Sequence, residues 1–321
     1  LAQKEGFSDF CVAKFFTEEL HRSDLEKLLY KIEKETAPAW RKILKKIKKI
    51  TNIENLEYYD LYYGINKLGD EKNLLTKEKF FPSLSKTIEA LGINLKQLPI
   101  KITKVVNVPP GSVYATNLFK EGPDREITIA IDPQAGWNAY SFLFHEFGHA
   151  IYYVFSPSSF LLTDPHLYRE MMAEMWVGFI EQPEWLILNN LAKNTKQAQR
   201  SIKTKSIGDI FQVRSQLLET KFELALYSHP QGDFEKIWRK LSLDILGIND
   251  TLEIYSEFVF VHPLDIKDYL FAWETKKKFI VFCQKNYPQI FNHSSIAKLL
   301  STKLYIPGAT FSWPEKISFL L

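Results

Sequence analysis

A short polar run inside an apolar stretch limits how this part of the chain can fold. His145, Glu146 and His149 interrupt the mainly apolar residues between positions 137 and 153. On a helix, two residues four apart lie one turn above each other, so both imidazoles point to the same side. Glu146 lies about 100° around the helix from His145, on the same general side. A buried imidazole pair beside a carboxylate needs partners, and a metal ion supplies them.

A second helix pattern follows shortly downstream and contains candidates for a third metal ligand. Glu170 and Glu174 share one face because they are four residues apart. We expect Glu170 to bind zinc with the two histidines and Glu174 to orient a ligand histidine, with the reverse assignment as the alternative. The small side chain of Ala173 should let the two helices approach closely. His166 is a rival ligand, although its place before the helix favours a cap or surface role.

The rest of the sequence predicts a mainly α fold with a small antiparallel β-sheet. Most of the chain carries apolar residues three or four positions apart, and Pro38 predicts a break in this pattern. Three stretches rich in β-branched residues, separated by glycine and proline turns, predict strands at 99–106, 112–119 and 126–131.

Composition and charge exclude several classes of protein. Hydrophobic residues make up 45% of the chain and charged residues 25%, which excludes a disordered chain. A net charge of only +3 argues against a nucleic-acid partner, and no apolar run is long enough for an integral membrane segment. Cys11 and Cys283 are too few for a disulfide framework and are expected to be free thiols, which makes the cytoplasm the default expectation.

One amphipathic segment leaves two interpretations open. Residues 41–50 place isoleucines and a leucine on one face of a helix and basic residues on the other. Such a helix can bind a membrane surface or an acidic partner. We favour the solvated face of a core helix, because the segment is short and has no tryptophan on its apolar side.

Two segments together resemble a known family of enzymes. H-E-F-G-H-A at 145–150, followed by E-M-M-A-E-M at 170–175, is similar to the zinc peptidases of the thimet oligopeptidase and oligoendopeptidase F family. A looser likeness extends to angiotensin-converting enzyme. The resemblance implies a zincin-like (gluzincin) helical catalytic domain around a substrate cleft, with one zinc ion per chain and peptide substrates. Members of this family usually carry a further N-terminal helical region, so the resemblance implies a catalytic portion that is either trimmed or naturally short.

The resemblance also implies how the chain is organised. We expect a single catalytic domain over residues 1–321, and we leave its oligomeric state open. Its expected parts are an N-terminal helical part, a small sheet and a helical part with the zinc site, at 1–95, 96–135 and 136–321.

Further site residues follow from the same resemblance. A strand before the zinc helix binds the substrate backbone in this family, and Tyr114, Ala115 and Thr116 occupy that place in the sequence. An ordinary edge strand is the alternative. His262 and Tyr269 are expected to stabilise the oxyanion. The family's glycine- and tyrosine-rich run is missing after the histidine, so a loop histidine and a core tyrosine are the alternatives.

These residues predict metal-assisted hydrolysis of peptide bonds. Zinc lowers the pKa of a bound water towards ~7, and Glu146 acts as the general base that takes its proton. The same carboxyl group then delivers the proton to the leaving amine. The alternative is a catalytically weak or inactive peptide- or protein-binding module that retains zinc. Hydrolysis of a non-peptide amide is a third interpretation.

Overall fold

The chain divides into two compact units in the computed structural model. Unit 1 comprises Leu1–Asp70 and Lys203–Phe271, and unit 2 comprises Glu71–Ile202 and Ala272–Leu321. The expected single catalytic domain over 1–321 stays a prediction. The structure describes residues 2–68, 74–104, 115–120, 126–156, 165–250, 262–287, 289–310, 315 and 317–320.

Helices account for most of the described residues, which confirms the predicted mainly α fold class. The α-helices in chain order are α1 (Phe10–Thr17), α2 (Arg22–Thr51), α3 (Tyr58–Leu68), α4 (Phe80–Ala90), α5 (Trp137–Phe155), α6 (His166–Ile180), α7 (Pro183–Leu188), α8 (Thr195–Ser228), α9 (Phe234–Ile245), α10 (Ile266–Asn286) and α11 (Ser294–Leu299). The strands are β1 (Ile100–Lys104), β2 (Ala115–Lys120) and β3 (Glu126–Ile131). Within the described part of the chain, no helix is both long and apolar enough to cross a membrane.

Short 3-10 turns and one π-helical segment complete the described structure. The 3-10 turns are Ala2–Glu5, Lys77–Lys79, Leu95–Gln97, Ile290–Asn292, Gly308–Thr310 and Ser318–Leu320. The chain continues from α11 directly into a π-helical segment over Leu300–Tyr305.

In unit 1, α2 is amphipathic and continues through Pro38. Its buried face carries apolar side chains at Leu25, Leu28, Leu29, Ile32, Trp40, Ile43 and Ile47. The basic residues at 41, 42, 45, 46 and 49 are exposed, which confirms a solvated face on a core helix. The predicted break at Pro38 is wrong. A proline removes one backbone donor from the helix, and the apolar face buried on both sides of it offsets that loss.

In unit 2, the three strands form one sheet in the order β1-β3-β2. The pairing of β2 with β3 is antiparallel, as predicted, with Thr116 opposite Ala130. The pairing of β1 with β3 is parallel, with Ile102 opposite Ile129, so the prediction of an antiparallel sheet is wrong for this pair. β3 lies between the other two strands. Because β1 reaches β3 only through a connection that contains β2, no tight turn forces the two to run in opposite directions.

The sheet leads directly into the helix that carries the histidines. The side chains of Ile127, Ile129 and Ile131 are fully buried, and both β2 and β3 pack against α5. Gly136 immediately precedes α5 with a φ angle of +98°, a conformation that glycine adopts without a steric penalty. Its N–H donates to the carbonyl oxygen of Leu75 at 2.8 Å. The turn at Gly136 therefore fixes the start of α5 against the segment that precedes α4.

Candidate metal centre

The candidate site lies in the middle of α5, whose two sides differ in burial. One side is packed into unit 2 by the apolar or small residues Ala139, Tyr140, Leu143, Phe144, Phe147, Ala150 and Ile151. His145, Glu146 and His149 remain partly exposed on the other side. The Nε2 atoms of the two histidines lie 3.1 Å apart. The helix predicted around these residues is confirmed, and it directs both imidazoles to one point.

Glu170 of α6 meets the two histidines at that point. Its Oε2 lies 3.3 Å from Nε2 of His145, and its Oε1 lies 3.5 Å from Nε2 of His149. Ligand atoms held tetrahedrally at about 2.0–2.1 Å from zinc lie ~3.3 Å from one another. The two imidazole nitrogens and the Glu170 carboxylate, which contacts one nitrogen through each of its oxygens, therefore lie at separations similar to those between the ligands of a zinc site. Within the described residues, Oε2 of Glu170 is buried without a hydrogen bond of good geometry, which a metal ion would remedy.

The two helices approach closely because both lack bulk at their crossing. A Cβ atom added to Gly148 would lie 2.6 Å from Cα of Ala173, which is closer than real contacts allow. The predicted role of Ala173 as a small residue between the helices is therefore confirmed. Sequence reasoning assigned no role to Gly148. A glycine between the two histidines is required here by the backbone of the neighbouring helix.

Glu174 lies one turn after Glu170 and contacts a different atom of the same histidine. Its Oε1 is 3.4 Å from Nδ1 of His145, the ring nitrogen that does not face Glu170. Its Oε2 is 3.1 Å from Nζ of Lys276 on α10. Burial would raise the pKa of Glu174, but the charges of Lys276 and His145 outweigh burial and lower it. Sequence reasoning missed Lys276, which lies in a run of three lysines that is typical of a surface.

The charges of the site hold its donors in different protonation states. Burial disfavours the imidazolium form of His145, but the carboxylates of Glu170 and Glu174 outweigh burial and raise its pKa to about 10. Burial lowers the pKa of His149 to about 3. For Glu170, burial opposes ionisation but the neighbouring histidines lower the pKa to about 2. Burial raises the pKa of Glu146 above its usual range. A carboxyl group with a raised pKa is suited to accept and return a proton.

His166 is the first residue of α6, and its side chain contacts Glu170 one turn later in the same helix. Its Nε2 lies 3.2 Å from Oε1 of Glu170, and 29% of its side chain is exposed. The structure therefore places His166 against the candidate ligand Glu170. A polar contact of this kind could fix the orientation of the Glu170 carboxylate.

The two predicted oxyanion residues lie outside unit 2. His262 and Tyr269 both belong to unit 1, in the segment that includes the start of α10. The side chain of His262 is 53% exposed, and its Nδ1 lies 3.6 Å from Oδ2 of Asp265. Tyr269 is half-buried. Their assigned role in catalysis stays a prediction.

The predicted substrate-binding strand is described in part. Tyr114 lies outside the described residues. Ala115 and Thr116 begin β2 and pair with Ile131 and Ala130 of β3. Because β2 lies at one end of the strand order and packs against α5, it has the position that strand addition requires. Binding of a substrate there stays a prediction.

Comparison with known proteins identifies solved structures with the same fold. No protein-family model and no curated protein matches the sequence. The M32 carboxypeptidase of Deinococcus radiodurans R1 is similar, with a TM-score of 0.65 and 12% identity over 99% of this chain and 67% of that chain. PZ peptidase A, solved with an inhibitor, has a TM-score of 0.63 and 14% identity over 99% of this chain and 58% of that chain.

A third similar structure is described as an oligoendopeptidase F. A Bacillus anthracis protein assigned to oligoendopeptidase F has a TM-score of 0.55 and 13% identity over 99% of this chain and 59% of that chain. At these identities the likenesses establish the fold, which is that of helical, zincin-like peptidases. The chain spans about three fifths to two thirds of the length of the three structures.

Proposed function

We propose that the chain is a zinc-dependent peptidase that hydrolyses peptide bonds of oligopeptides, of the thimet oligopeptidase and oligoendopeptidase F type. The observation that carries the proposal is the triangle of Nε2 of His145, Nε2 of His149 and the carboxylate of Glu170, with sides of 3.1–3.5 Å. Two imidazoles and one carboxylate are the ligand set of zinc sites that keep a position open for water. The shared fold with solved peptidases supports the same class of reaction.

The chemistry assigns a separate task to each group. Zinc bound by His145, His149 and Glu170 would lower the pKa of a water ligand towards ~7 and polarise the scissile carbonyl group. The carboxylate of Glu146 accepts a proton from the attacking water and delivers it to the leaving amine. Glu174 accepts a hydrogen bond from Nδ1–H of His145 and so keeps Nε2 available to the metal.

Two assignments outside the metal centre complete the proposal. The edge of β2 at Ala115 and Thr116, together with Tyr114, binds the substrate backbone as an added strand. His262 and Tyr269 donate to the oxygen of the scissile carbonyl group as negative charge develops on it. These assignments rest on the family resemblance and on the position of β2, and each can fail without affecting the zinc ligands.

The first test separates metal binding from catalysis. Glu146→Gln should keep one zinc ion per chain and lower the rate of cleavage by about 10²- to 10⁴-fold, because the amide cannot take the proton. Zinc is measured by elemental analysis of the dialysed protein. Cleavage of a mixture of synthetic oligopeptides is followed by mass spectrometry, with and without a chelator.

Control variants and the remaining outcomes sharpen this test. Glu184→Gln changes an exposed glutamate of unit 2 in the same way and should leave both zinc content and cleavage unchanged. Full cleavage by Glu146→Gln would contradict the role of Glu146. A wild-type protein that binds zinc but cleaves no peptide would support the alternative of a zinc-containing binding module.

A further inference from the structure

Lys276 reaches from α10 to the acidic side of α6. Its Nζ lies 3.1 Å from Oε2 of Glu174 and 3.0 Å from Oε1 of Glu181. Only 8% of its side chain is exposed. Gly178, one turn after Glu174, leaves room for the lysine stem, because an added Cβ there would lie 3.0 Å from Cγ of Lys276. A lysine in a run of three is therefore buried and fixed between two glutamates.

These contacts form a continuous chain of charged groups that ends at a candidate zinc ligand. Glu174 uses one carboxylate oxygen for Nδ1 of His145, at 3.4 Å, and the other for Lys276. Lys276 is held in turn by Glu181, at the end of α6. The orientation of the His145 ring is thus linked through Glu174 to a cation on a third helix. With only one partner, the carboxylate of Glu174, whose side chain is 21% exposed, would be free to rotate away from His145.

We propose that Lys276 is a positioning residue of the metal centre, which holds the carboxylate of Glu174 in place to orient His145. This inference rests on the zinc site of the proposed function. A lysine is suited to this task, because its ammonium group donates hydrogen bonds and has no lone pair with which to compete for the metal. Groups that orient a metal ligand through a hydrogen bond typically change metal affinity by about 10- to 100-fold when they are removed.

An ordinary ion pair between α6 and α10 predicts a different result. Loss of such a pair lowers the stability of the protein but leaves the donor atoms of the metal site as they were. Loss of a positioning residue changes metal affinity and the geometry around the metal. Zinc affinity and the visible absorption spectrum of the cobalt-loaded protein are therefore the measurements that separate the two roles.

The experiment compares variants of the full chain. Lys276→Met keeps the length of the stem and removes the charge, and it should raise the Kd for zinc by about 10- to 100-fold in competition with a chromogenic chelator. Lys276→Arg keeps the charge and should stay within about threefold of the wild type. The cobalt spectrum should change in Lys276→Met and remain similar in Lys276→Arg.

A matched control measures the loss of a buried lysine elsewhere. Lys205 of unit 1 is 7% exposed and pairs with Asp209 on its own helix at 2.7 Å. Lys205→Met should lower the melting temperature without changing the Kd for zinc. If Lys276→Met does not fold, Lys276→Gln replaces it and should raise the Kd at least threefold. A Kd within twofold of the wild type in the folded Lys276 variant overturns the inference.

The two proposals fail in different ways. A wild-type protein that binds no zinc contradicts the proposed zinc site itself. A wild-type protein that binds zinc tightly, together with a Lys276→Met variant of equal affinity, contradicts only the role of Lys276. An equal loss of affinity in Lys205→Met and Lys276→Met also contradicts it, because the effect would then come from general destabilisation.

Discussion

The two units each bury a cluster of charged side chains, and the two clusters differ in the chemistry of their members. The lysine cluster of unit 1 consists of Lys14, Glu18, Asp265, Lys267 and Asp268. Nζ of Lys267 lies 2.6 Å from both Glu18 and Asp268, and Nζ of Lys14 lies 2.6 Å from Asp265. The metal-site cluster of unit 2 consists of His145, His149, Glu170, Glu174 and Lys276.

The difference shows that burial of charge alone does not indicate a binding site. In the lysine cluster every ion pair joins an ammonium group to a carboxylate, so each carboxylate lies beside a cation of the protein itself. In the metal-site cluster, two imidazole nitrogens and one carboxylate meet at 3.1–3.5 Å, and all three belong to side chains that bind metals. The first arrangement is held together by ion pairs, whereas the second directs three groups that can bind a metal towards one point.

Removal of a cation from the lysine cluster should have the largest effect on stability. Lys267 is fully buried, so Lys267→Met leaves Glu18 and Asp268 without their closest positive charge. We expect the free energy of unfolding to fall by about 3–5 kcal/mol. Urea denaturation measures this loss, and Lys27→Met, at a side chain that is 76% exposed, is the control. A loss below about 1 kcal/mol would show that the cluster relaxes without its central lysine.

Addition of a cation to the metal-site cluster should have the next largest effect. Zinc at 100 times its Kd should stabilise the wild-type protein by about 2.7 kcal/mol, and this gain should disappear in His149→Gln. Lys267→Met should retain the gain, because it changes none of the three proposed zinc ligands. Thermal unfolding with and without zinc measures both. An equal gain in His149→Gln and the wild type would place the zinc elsewhere.

The metal-site cluster also shows which residues of the site can be predicted from the sequence and which cannot. His145, Glu146 and His149 can be identified because helix periodicity alone places them together. The sequence favours Glu170 over Glu174 as the third ligand, and the distances support that choice because Glu174 faces the other ring nitrogen of His145. Lys276 cannot be found in this way. It is about a hundred residues from Glu174, and only the packing of α10 on α6 brings the two together.

The fold shows the same limit. The three strands can be identified from their β-branched residues, because that pattern is local. The parallel pairing of β1 with β3 depends on which strand takes the central place in the sheet, which no residue of β1 specifies. Likewise, Pro38 is a local signal for a helix break, and the tertiary burial of α2 on both sides of it prevails. Local chemistry is predictable, whereas partners distant in sequence are not.

The partly buried Glu219 of α8 in unit 1 contrasts with both clusters, because its carboxyl group is not surrounded by other charged side chains of the described residues. No lysine, arginine or histidine among the described residues forms an ion pair with it, and burial raises its pKa from 4.5 to about 7. The native protein therefore keeps a proton that the unfolded chain releases near pH 4.5. The free energy of unfolding should accordingly decrease as the pH rises from about 4.5 to about 7. The decrease would be about 3 kcal/mol for a fully buried carboxyl group, and we expect about 2 kcal/mol because Glu219 is partly exposed.

Glu219→Gln removes this titration while it keeps the shape of the side chain. The variant should match the wild type at pH 4, where the carboxyl group is protonated in both states, and should be more stable than the wild type at pH 8 by about 2 kcal/mol. Urea denaturation at the two pH values measures the difference. Glu54→Gln, at a side chain that is 91% exposed, should leave the pH dependence unchanged. If Glu219→Gln has the same pH dependence as the wild type, a positive charge compensates Glu219 in solution, and the carboxyl group belongs with the paired charges of the lysine cluster.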